Sequence, residues 1–299
     1  MKPVTIAIPT HNRAATLRET LHSVFALEIP PQVAVDLIVV DNASIDDTAA
    51  LADSELRNAP FAAQRVLETR LGESFSRNRA IAESRGELLL FIDDDAVAER
   101  SWAAAMIDAM EARQLDVACG LVLPRWSAPP DAWLGPRVYA KLAVHSRETL
   151  DRLPDEQVES LGNYFAANMG IRKESAGRFG GFREDLGVIG NNPISGADTD
   201  FFIRVLQRGG RIGFVRNAIV NHLIPRERMN RQYLRRKSFA YGVGSAVAKR
   251  PSHNSIDKLV RNLVRMASAA ARGDSEGVMY HQLEIANFLG YWRGRMLHT

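Results

Sequence analysis

The strongest constraint on the fold lies near the N-terminus. Val4-Thr5-Ile6-Ala7-Ile8 and Val35-Asp36-Leu37-Ile38-Val39-Val40 are apolar, β-branched runs of strand length. Between them, Ala14 to Leu27 places Leu17, Leu21, Val24 and Phe25 at helical spacing, with Asn12 as a candidate cap. Strand, helix and strand within about forty residues make a βαβ unit, which calls for a parallel sheet with helices on its faces.

The pattern continues. A second helix is expected from Asp46, after the cap-rich Ser44-Ile45-Asp46-Asp47-Thr48. Arg65 to Thr69 reads as a strand, Glu73 to Ser84 as a helix, and Glu87-Leu88-Leu89-Leu90-Phe91-Ile92 as a fully buried strand. Ser101 to Arg113 is again helical, and Val117 to Leu123 extended. Prolines 124, 129, 130, 136 and 154 break residues 124–162 into a long excursion, with a helix expected near Val138 to His145. Phe165 to Ile171 reads as a strand, Thr199 to Arg208 as a helix and Arg211 to Val215 as extended. Beyond Pro225 only helical patterns remain. One stripe holds Ile256, Leu259, Val260, Leu263, Val264 and Ala267; another holds Ile285, Phe288, Leu289, Trp292 and Met296. The expected division is residues 1–225 as an α/β domain and 226–299 as a basic helical extension.

Charge follows the same division. Residues 1–203 carry 20 Lys+Arg and 30 Asp+Glu, a balance of −10. Residues 204–299 carry 18 and 5, a balance of +13. The basic end suits an anionic membrane surface, a phosphorylated acceptor or the acidic body itself. Arg235-Arg236-Lys237 reads as a solvated helix face, and no nucleic-acid partner is expected. Cys119 is the only cysteine, so neither an internal disulfide nor a thiolate metal cage can form. No run approaches the ~18 apolar residues that span a bilayer, and the N-terminal apolar run is too short for a signal peptide. The expected location is cytoplasmic, with peripheral contact at the inner face of a membrane.

Asp93-Asp94-Asp95 follows the most apolar strand. In open α/β sheets, ligands bind beyond the carboxyl ends of strands. Three carboxylates there repel one another unless a cation meets them, and hard divalent cations take carboxylate oxygens together with substrate phosphates. Strand alternation puts Asp93 and Asp95 on one side and Asp94 on the other. The bland alternative is a solvated acidic turn. Asp41 ends the second strand and would share that sheet edge; it is either a ligand-binding carboxylate or a turn residue.

Several short motifs, in order, resemble those of family 2 glycosyltransferases with the GT-A fold. They are Pro9-Thr10-His11-Asn12-Arg13, Val39-Val40-Asp41-Asn42-Ala43-Ser44-Ile45-Asp46-Asp47-Thr48, Gly72-Glu73-Ser74-Phe75-Ser76-Arg77-Asn78 and Phe91-Ile92-Asp93-Asp94-Asp95. The resemblance spans roughly residues 3–225 and implies a Rossmann-like, mostly parallel sheet flanked by helices. It also implies an inverting transfer from a nucleoside-diphosphate sugar, a UDP-sugar foremost, to an acceptor hydroxyl in polysaccharide, glycolipid or other glycoconjugate synthesis. Pro9, Thr10, Asn12, Arg13, Asp41, Arg77, Asp93 and Asp94 would lie at the donor. Asp95, with Asp93, would hold Mn²⁺ or Mg²⁺, and His222 matches a late metal-ligand position.

Asn168-Met169-Gly170-Ile171-Arg172 and Gly180-Gly181-Phe182 resemble the stretch before the family's catalytic base. Gly196-Ala197-Asp198-Thr199-Asp200-Phe201 then resembles its Glu-Asp-x-Asp segment, with Ala197 where Glu is usual, and Asp198 falls at the base position. Alternatively, Asp198 is only a helix cap. Trp126 and Trp133 either stack on a sugar or anchor their loop. Gly242-Val243-Gly244 follows no strand and is not a dinucleotide loop. The rival enzyme class is a nucleotidyltransferase, against which stands the lack of a Gly-rich phosphate loop at residues 9–13. A third reading is a binding module without activity. The sequence identifies neither sugar, base, acceptor nor oligomeric state.

Overall fold

The structure, a computed structural model, describes residues 1–154, 157, 164–189, 192–250 and 255–297. The βαβ unit is present as β1 (Lys2–Thr10), α1 (Ala14–Phe25) and β2 (Val33–Asp41), with β1 and β2 parallel in register from Lys2↔Val33 to Thr10↔Asp41. There follow α2 (Thr48–Leu56), β3 (Ala62–Leu67), α3 (Glu73–Glu83), β4 (Leu88–Ile92), β5 (Ala96–Ala98), α4 (Trp102–Ala112) and β6 (Val117–Trp126). After α5 (Pro136–Tyr139) and α6 (Arg147–Asp151) come β7 (Asn168–Arg172), α7 (Lys173–Phe179), a ribbon of β8 (Gly187–Ile189) and β9 (Asn192–Ile194), α8 (Ala197–Gln207) and β10 (Ile212–Ile224). The C-terminal part is α9 (Arg231–Val247), α10 (Ile256–Ala271) and α11 (Ser275–Leu297).

The main sheet has eight strands in the order β3-β2-β1-β4-β7-β6-β10-β5. Its β3-β2, β2-β1, β1-β4 and β6-β10 pairings are parallel; β7 and β5 run against their neighbours. It is therefore a mostly parallel α/β sheet of the GT-A type with a helical C-terminal region. Val4, Ile6, Ile8, Leu88, Leu90 and Ile92 bury one sheet face with Leu17, Leu21 and Val24 of α1. Ala7, Leu89 and Phe91 bury the other with Phe179 and Phe201. Burial on both faces explains why these strands read as continuous apolar runs.

Several boundaries differ from expectation. β3 begins at Ala62, three residues before Arg65. β6 runs on through Pro124 to Trp126. β10 lies on one side of Pro124, whereas β7 pairs β6 only at residues 117–119, so the missing N–H falls where no ladder bond is required. The helix expected over Val138 to His145 is α5 with a short 3₁₀ turn, ended by Ala143 at φ 58°. His145 is instead clipped to β6: its N–H donates to the Val122 carbonyl (2.7 Å), and its Nδ1 accepts from the Val122 N–H (3.0 Å). Residues 155–156 and 158–163 of the excursion lie outside the described residues.

Arg211 to Val215 and the later run Ala218 to Asn221 are one strand, β10, interrupted by a bulge between Val215 and Ile219. Asn168 fills the gap this opens. Its Nδ2 donates to the Leu121 and Ala218 carbonyls (3.0 and 2.8 Å), and its Oδ1 accepts from the Trp102 indole (2.8 Å). Gly120 lies beneath; a Cβ there would stand 2.3 Å from Asn168 Nδ2.

The C-terminal helices pack closely. A Cβ on Gly242 of α9 would meet the Asn287 carbonyl at 2.1 Å, and one on Gly290 of α11 the Phe239 carbonyl at 1.9 Å. Gly242 thus serves helix packing, while Gly244 lets α9 approach the Ser195 carbonyl, 2.0 Å from where a Cβ would stand. Arg137–Asp274 (2.8 Å) and Lys141–Glu284 (3.1 Å) brace α11 against the loop after β6. No helix among the described residues is long and apolar enough to cross a membrane.

Candidate active site

The carboxyl ends of β1, β2 and β4 open onto a cavity of about 490 Å³. The chain leaves β4 at Ile92, and the Ala96 N–H closes a turn onto the Asp93 carbonyl (3.1 Å). The alternation expected for Asp93-Asp94-Asp95 therefore fails, because it holds only for extended backbone. Asp94 does not point away; all three aspartates line the cavity.

Each meets a different environment. Asp93 accepts from the buried Arg77 guanidinium (3.2 Å), which also pairs with Glu73. Burial pushes the Asp93 carboxyl above its ordinary range, opposed by Arg77. Asp94 is pushed up to about 7 by burial and by the charge of Asp95. Asp95 is buried too, which alone would raise it. His222 at 3.0 Å and Arg228 at 3.3 Å overcome that penalty and hold it at about 2. His222 is placed by strand pairing: it lies opposite Ala96 of β5, and the Leu223 N–H donates to the Asp95 carbonyl (2.8 Å).

Asp198 lines the same cavity from the first turn of α8. Its Oδ1 accepts from the Thr199 N–H (2.7 Å), and the preceding Gly196 takes φ 108°, a conformation that favours glycine. Burial and then the charge of Glu73 raise its carboxyl, with Arg77 opposing. A raised pKa makes a carboxylate a better proton acceptor at neutral pH. Asp200 is engaged elsewhere, by Arg204 at 2.7 Å.

Of the expected donor residues, Pro9, Thr10, Arg13, Arg77, Asp93 and Asp94 line the cavity. Asp41 and Asn12 are not among the lining residues. Asp41 is buried at the end of β2, where its Oδ1 accepts from the Ser44 N–H (3.0 Å) and Arg65 lies 3.5 Å from its Oδ2. Asn12 joins the loops after β1 and β2: its Oδ1 accepts from the Ile45 N–H (2.8 Å). The neighbouring Asn42 reaches the wall instead, tying β2 to the loop before α3 through Gly72 N–H and the Glu68 and Arg70 carbonyls.

Glu73, Arg228, Tyr233 and Lys237 also line the cavity and were not anticipated. Lys237 belongs to the run read as a solvated helix face; its i, i+4 spacing from Tyr233 was the available signal. The tryptophans anchor their loop: Trp133 donates to Asp131 (2.9 Å) beneath Arg231, and Trp126 packs on Tyr139.

Among the described residues, no three His, Cys, Asp or Glu side chains form a ready-made metal cage. The donor chemistry still fits a divalent ion of the Mg²⁺ or Mn²⁺ kind. Asp95 offers carboxylate oxygens beside an imidazole whose Nδ1 is buried without a partner. Such ions are commonly held by one or two protein groups and completed by substrate phosphates.

The fold is of the GT-A type, and comparison with known proteins gives the family. Residues 5–179 match the profile of glycosyl transferase family 2. The chain belongs to that family and is a glycosyltransferase. It is 25% identical over 240 residues to the succinoglycan biosynthesis protein ExoM of Rhizobium meliloti, covering 80% of this chain and 72% of that protein. It is 24% identical over 248 residues to a glucosyl-dolichyl phosphate glucuronosyltransferase of Haloferax volcanii, covering 82% and 76%. Among solved structures, the mannosyltransferase PcManGT from Pyrobaculum calidifontis, in complex with GDP-Man and Mn²⁺, superposes with TM-score 0.65 at 18% identity, covering 99% of this chain and 87% of that one. S. aureus TarS with UDP-GlcNAc gives TM-score 0.51 at 14% identity, covering 100% and 91%.

Proposed function

We propose that the protein is an inverting, metal-assisted glycosyltransferase that moves a sugar from a nucleoside-diphosphate sugar to an acceptor hydroxyl in glycoconjugate synthesis. One observation carries this reading. A half-buried carboxylate, Asp198, oriented at a helix start by the Thr199 N–H, shares a cavity with the Asp95–His222 pair and with the cations Arg13, Arg77, Arg228 and Lys237.

In the reaction, Asp198 accepts the acceptor hydroxyl proton as that oxygen bonds to the anomeric carbon and the bond to the diphosphate breaks. Arg13, Arg77, Arg228 and Lys237 bind and orient the anionic diphosphate. Asp95 and His222, with Asp93 nearby, would hold Mn²⁺ or Mg²⁺, which as a Lewis acid neutralises charge on the leaving diphosphate. A nucleotidyltransferase reading loses ground to the family membership. Residues 1–225 form the catalytic unit, and residues 226–299 an extension that lends Arg228, Tyr233 and Lys237 to the site.

The test is Asp198→Asn. A thermal-shift panel of UDP-sugars and GDP-mannose with Mn²⁺ selects the donor. The variant should bind that donor within about twofold of the parent, while turnover falls by about 10²–10⁴-fold. Turnover at the parent rate would overturn the base assignment.

A further inference from the structure

Helix α10 has a well-separated apolar face, but that face points outward. Ile256, Val260, Leu263, Val264 and Ala267 fall on one side at helical spacing. Ile256 is 69% exposed, Val260 51%, Leu263 44% and Val264 63%. The polar side makes the packing contact. Asn262 is buried and accepts from His281 of α11 (2.9 Å), while Lys258 pairs with Glu284 (2.9 Å). An amphipathic helix that completed a core would have the reverse orientation. The helix is otherwise regularly built, with Ser255 accepting from the Lys258 N–H as its cap. Along α11, Leu289, Trp292 and Met296 repeat the theme at i, i+3 and i+7, and all three are exposed.

The border of these outward faces is basic. Arg261 is exposed between the apolar stripe of α10 and its packing side, and Arg293 is exposed beside Leu289, Trp292 and Met296 on α11. Lys258 and Arg265 lie on the packing side, where with Arg261, Tyr280 and Glu284 they line a cavity of about 290 Å³. Among the described residues, little of the basic surplus of residues 226–299 pairs with the acidic body. Between residues 1–225 and 226–299 the described ion pairs run mainly the other way, with Arg137 and Lys141 of the body meeting Asp274, Glu276 and Glu284; Arg228–Asp95 is the exception.

We propose that α10 and the exposed side of α11 form a membrane-surface face, with Ile256, Val260, Leu263 and Val264 in the headgroup–acyl boundary of an anionic bilayer and Arg261 and Arg293 at its lipid phosphates. Apolar side chains flanked by Arg and Lys, with a tryptophan at the edge, match an interfacial helix. A second copy of the chain is a poorer occupant, because a twofold contact would bring this basic border against itself. Since α9 lies between α11 and the cavity it helps to line, the same face would hold the active site at the membrane.

The experiment is co-sedimentation of the full chain with phosphatidylcholine vesicles and with vesicles containing phosphatidylglycerol, at low and high salt. Binding is expected only with phosphatidylglycerol at low salt. The double substitutions Val260→Glu/Leu263→Glu and Arg261→Glu/Arg293→Glu should each weaken it by at least about tenfold, equivalent to ~1.4 kcal/mol. The four side chains are exposed, so melting temperatures should stay at the parent value. If the apolar pair fails to fold, the arginine pair alone decides. No preference for phosphatidylglycerol, or undiminished binding by a folded variant, overturns the proposal. So does a parent dimer that Val260→Glu/Leu263→Glu dissociates. The assay contains no donor or acceptor, so its failure would leave the glycosyl-transfer reading untouched.

Discussion

Asn168→Ala tests the link between fold and site. Asn168 is fully buried beside Asp93 and spans the place where β6 and β10 separate. Alanine would remove three hydrogen bonds and leave the Leu121 and Ala218 carbonyls and the Trp102 N–H facing a small void. An unsatisfied buried group costs about 1–3 kcal/mol, and partial relaxation makes ~3–6 kcal/mol a reasonable total. Unfolding entropy of ~2.1 cal/mol/K per residue over 299 residues is ~0.6 kcal/mol/K. The melting temperature should therefore fall by about 5–10 °C in calorimetry.

Asn168→Asp sharpens the test. It keeps the acceptor for Trp102 but sets a second carboxylate oxygen 3.0 and 2.8 Å from two carbonyl oxygens. Its folded-state pKa must rise above the unfolded value, so stability is lost as pH increases through that window and recovered in acid, where the protonated group can donate one bond. Because β10 carries His222, both variants should also weaken Mn²⁺-dependent donor binding. An Asn168→Ala melt within about 2 °C of the parent would refute the role assigned to this side chain.

Other outcomes follow from the same geometry. Asp95→Ala should weaken donor binding at least about tenfold in calorimetry with Mn²⁺, whereas parent binding undiminished in chelator would exclude a metal at Asp95 and His222. Gly290→Ala should destabilise by about 1–3 kcal/mol despite its helix-propensity gain, because its Cβ would strike the Phe239 backbone; Gly177→Ala, with open space around it, should be neutral or stabilising by up to about 1 kcal/mol in the same thermal melts. Asp198 must be ionised to accept a proton, and burial and Glu73 raise its carboxyl. The acid limb of kcat/KM should thus lie above the usual carboxylate range, and Glu73→Gln should move it to lower pH.

What the sequence made legible depended on distance along the chain. The βαβ unit, the buried β4 and the carboxylates at strand ends are local patterns, and local backbone geometry enforces them. The misread turn at Asp93-Asp94-Asp95 was local as well, but its hydrogen bond from Ala96 to Asp93 leaves no periodic trace. Asp41 and Asn42 show the opposite difficulty. Both sit at the end of β2, and only the packing of Arg65 on one and Gly72 on the other decides which reaches the cavity. Lys237 is a cavity residue because Gly242 and Gly290 let α9 and α11 approach closely and fix the rotation of α9. No composition rule distinguishes that face from the solvated one. The outward apolar face of α10 is likewise invisible to periodicity, which reports that a stripe exists but not which way it looks.

The acidic triplet is better understood through its charge balance than through its ligand count. Asp93 is met by Arg77, itself shared with Glu73, and Asp95 by His222 and Arg228. Buried charge pairs of this kind add little to stability, because desolvation consumes most of the Coulombic gain. Their value lies in exchange. A nucleoside-diphosphate sugar brings two negative charges on its diphosphate, and a divalent ion brings two positive ones. Entering together, they leave the cavity's net charge unchanged while offering each existing group a new partner: carboxylates for the ion, guanidinium groups for the diphosphate. Entering alone, either would leave an uncompensated charge beside groups of its own sign. On the proposed function the arrangement would favour joint binding, and linkage requires the coupling to be reciprocal, so that the donor would tighten the metal by the same factor as the metal tightens the donor.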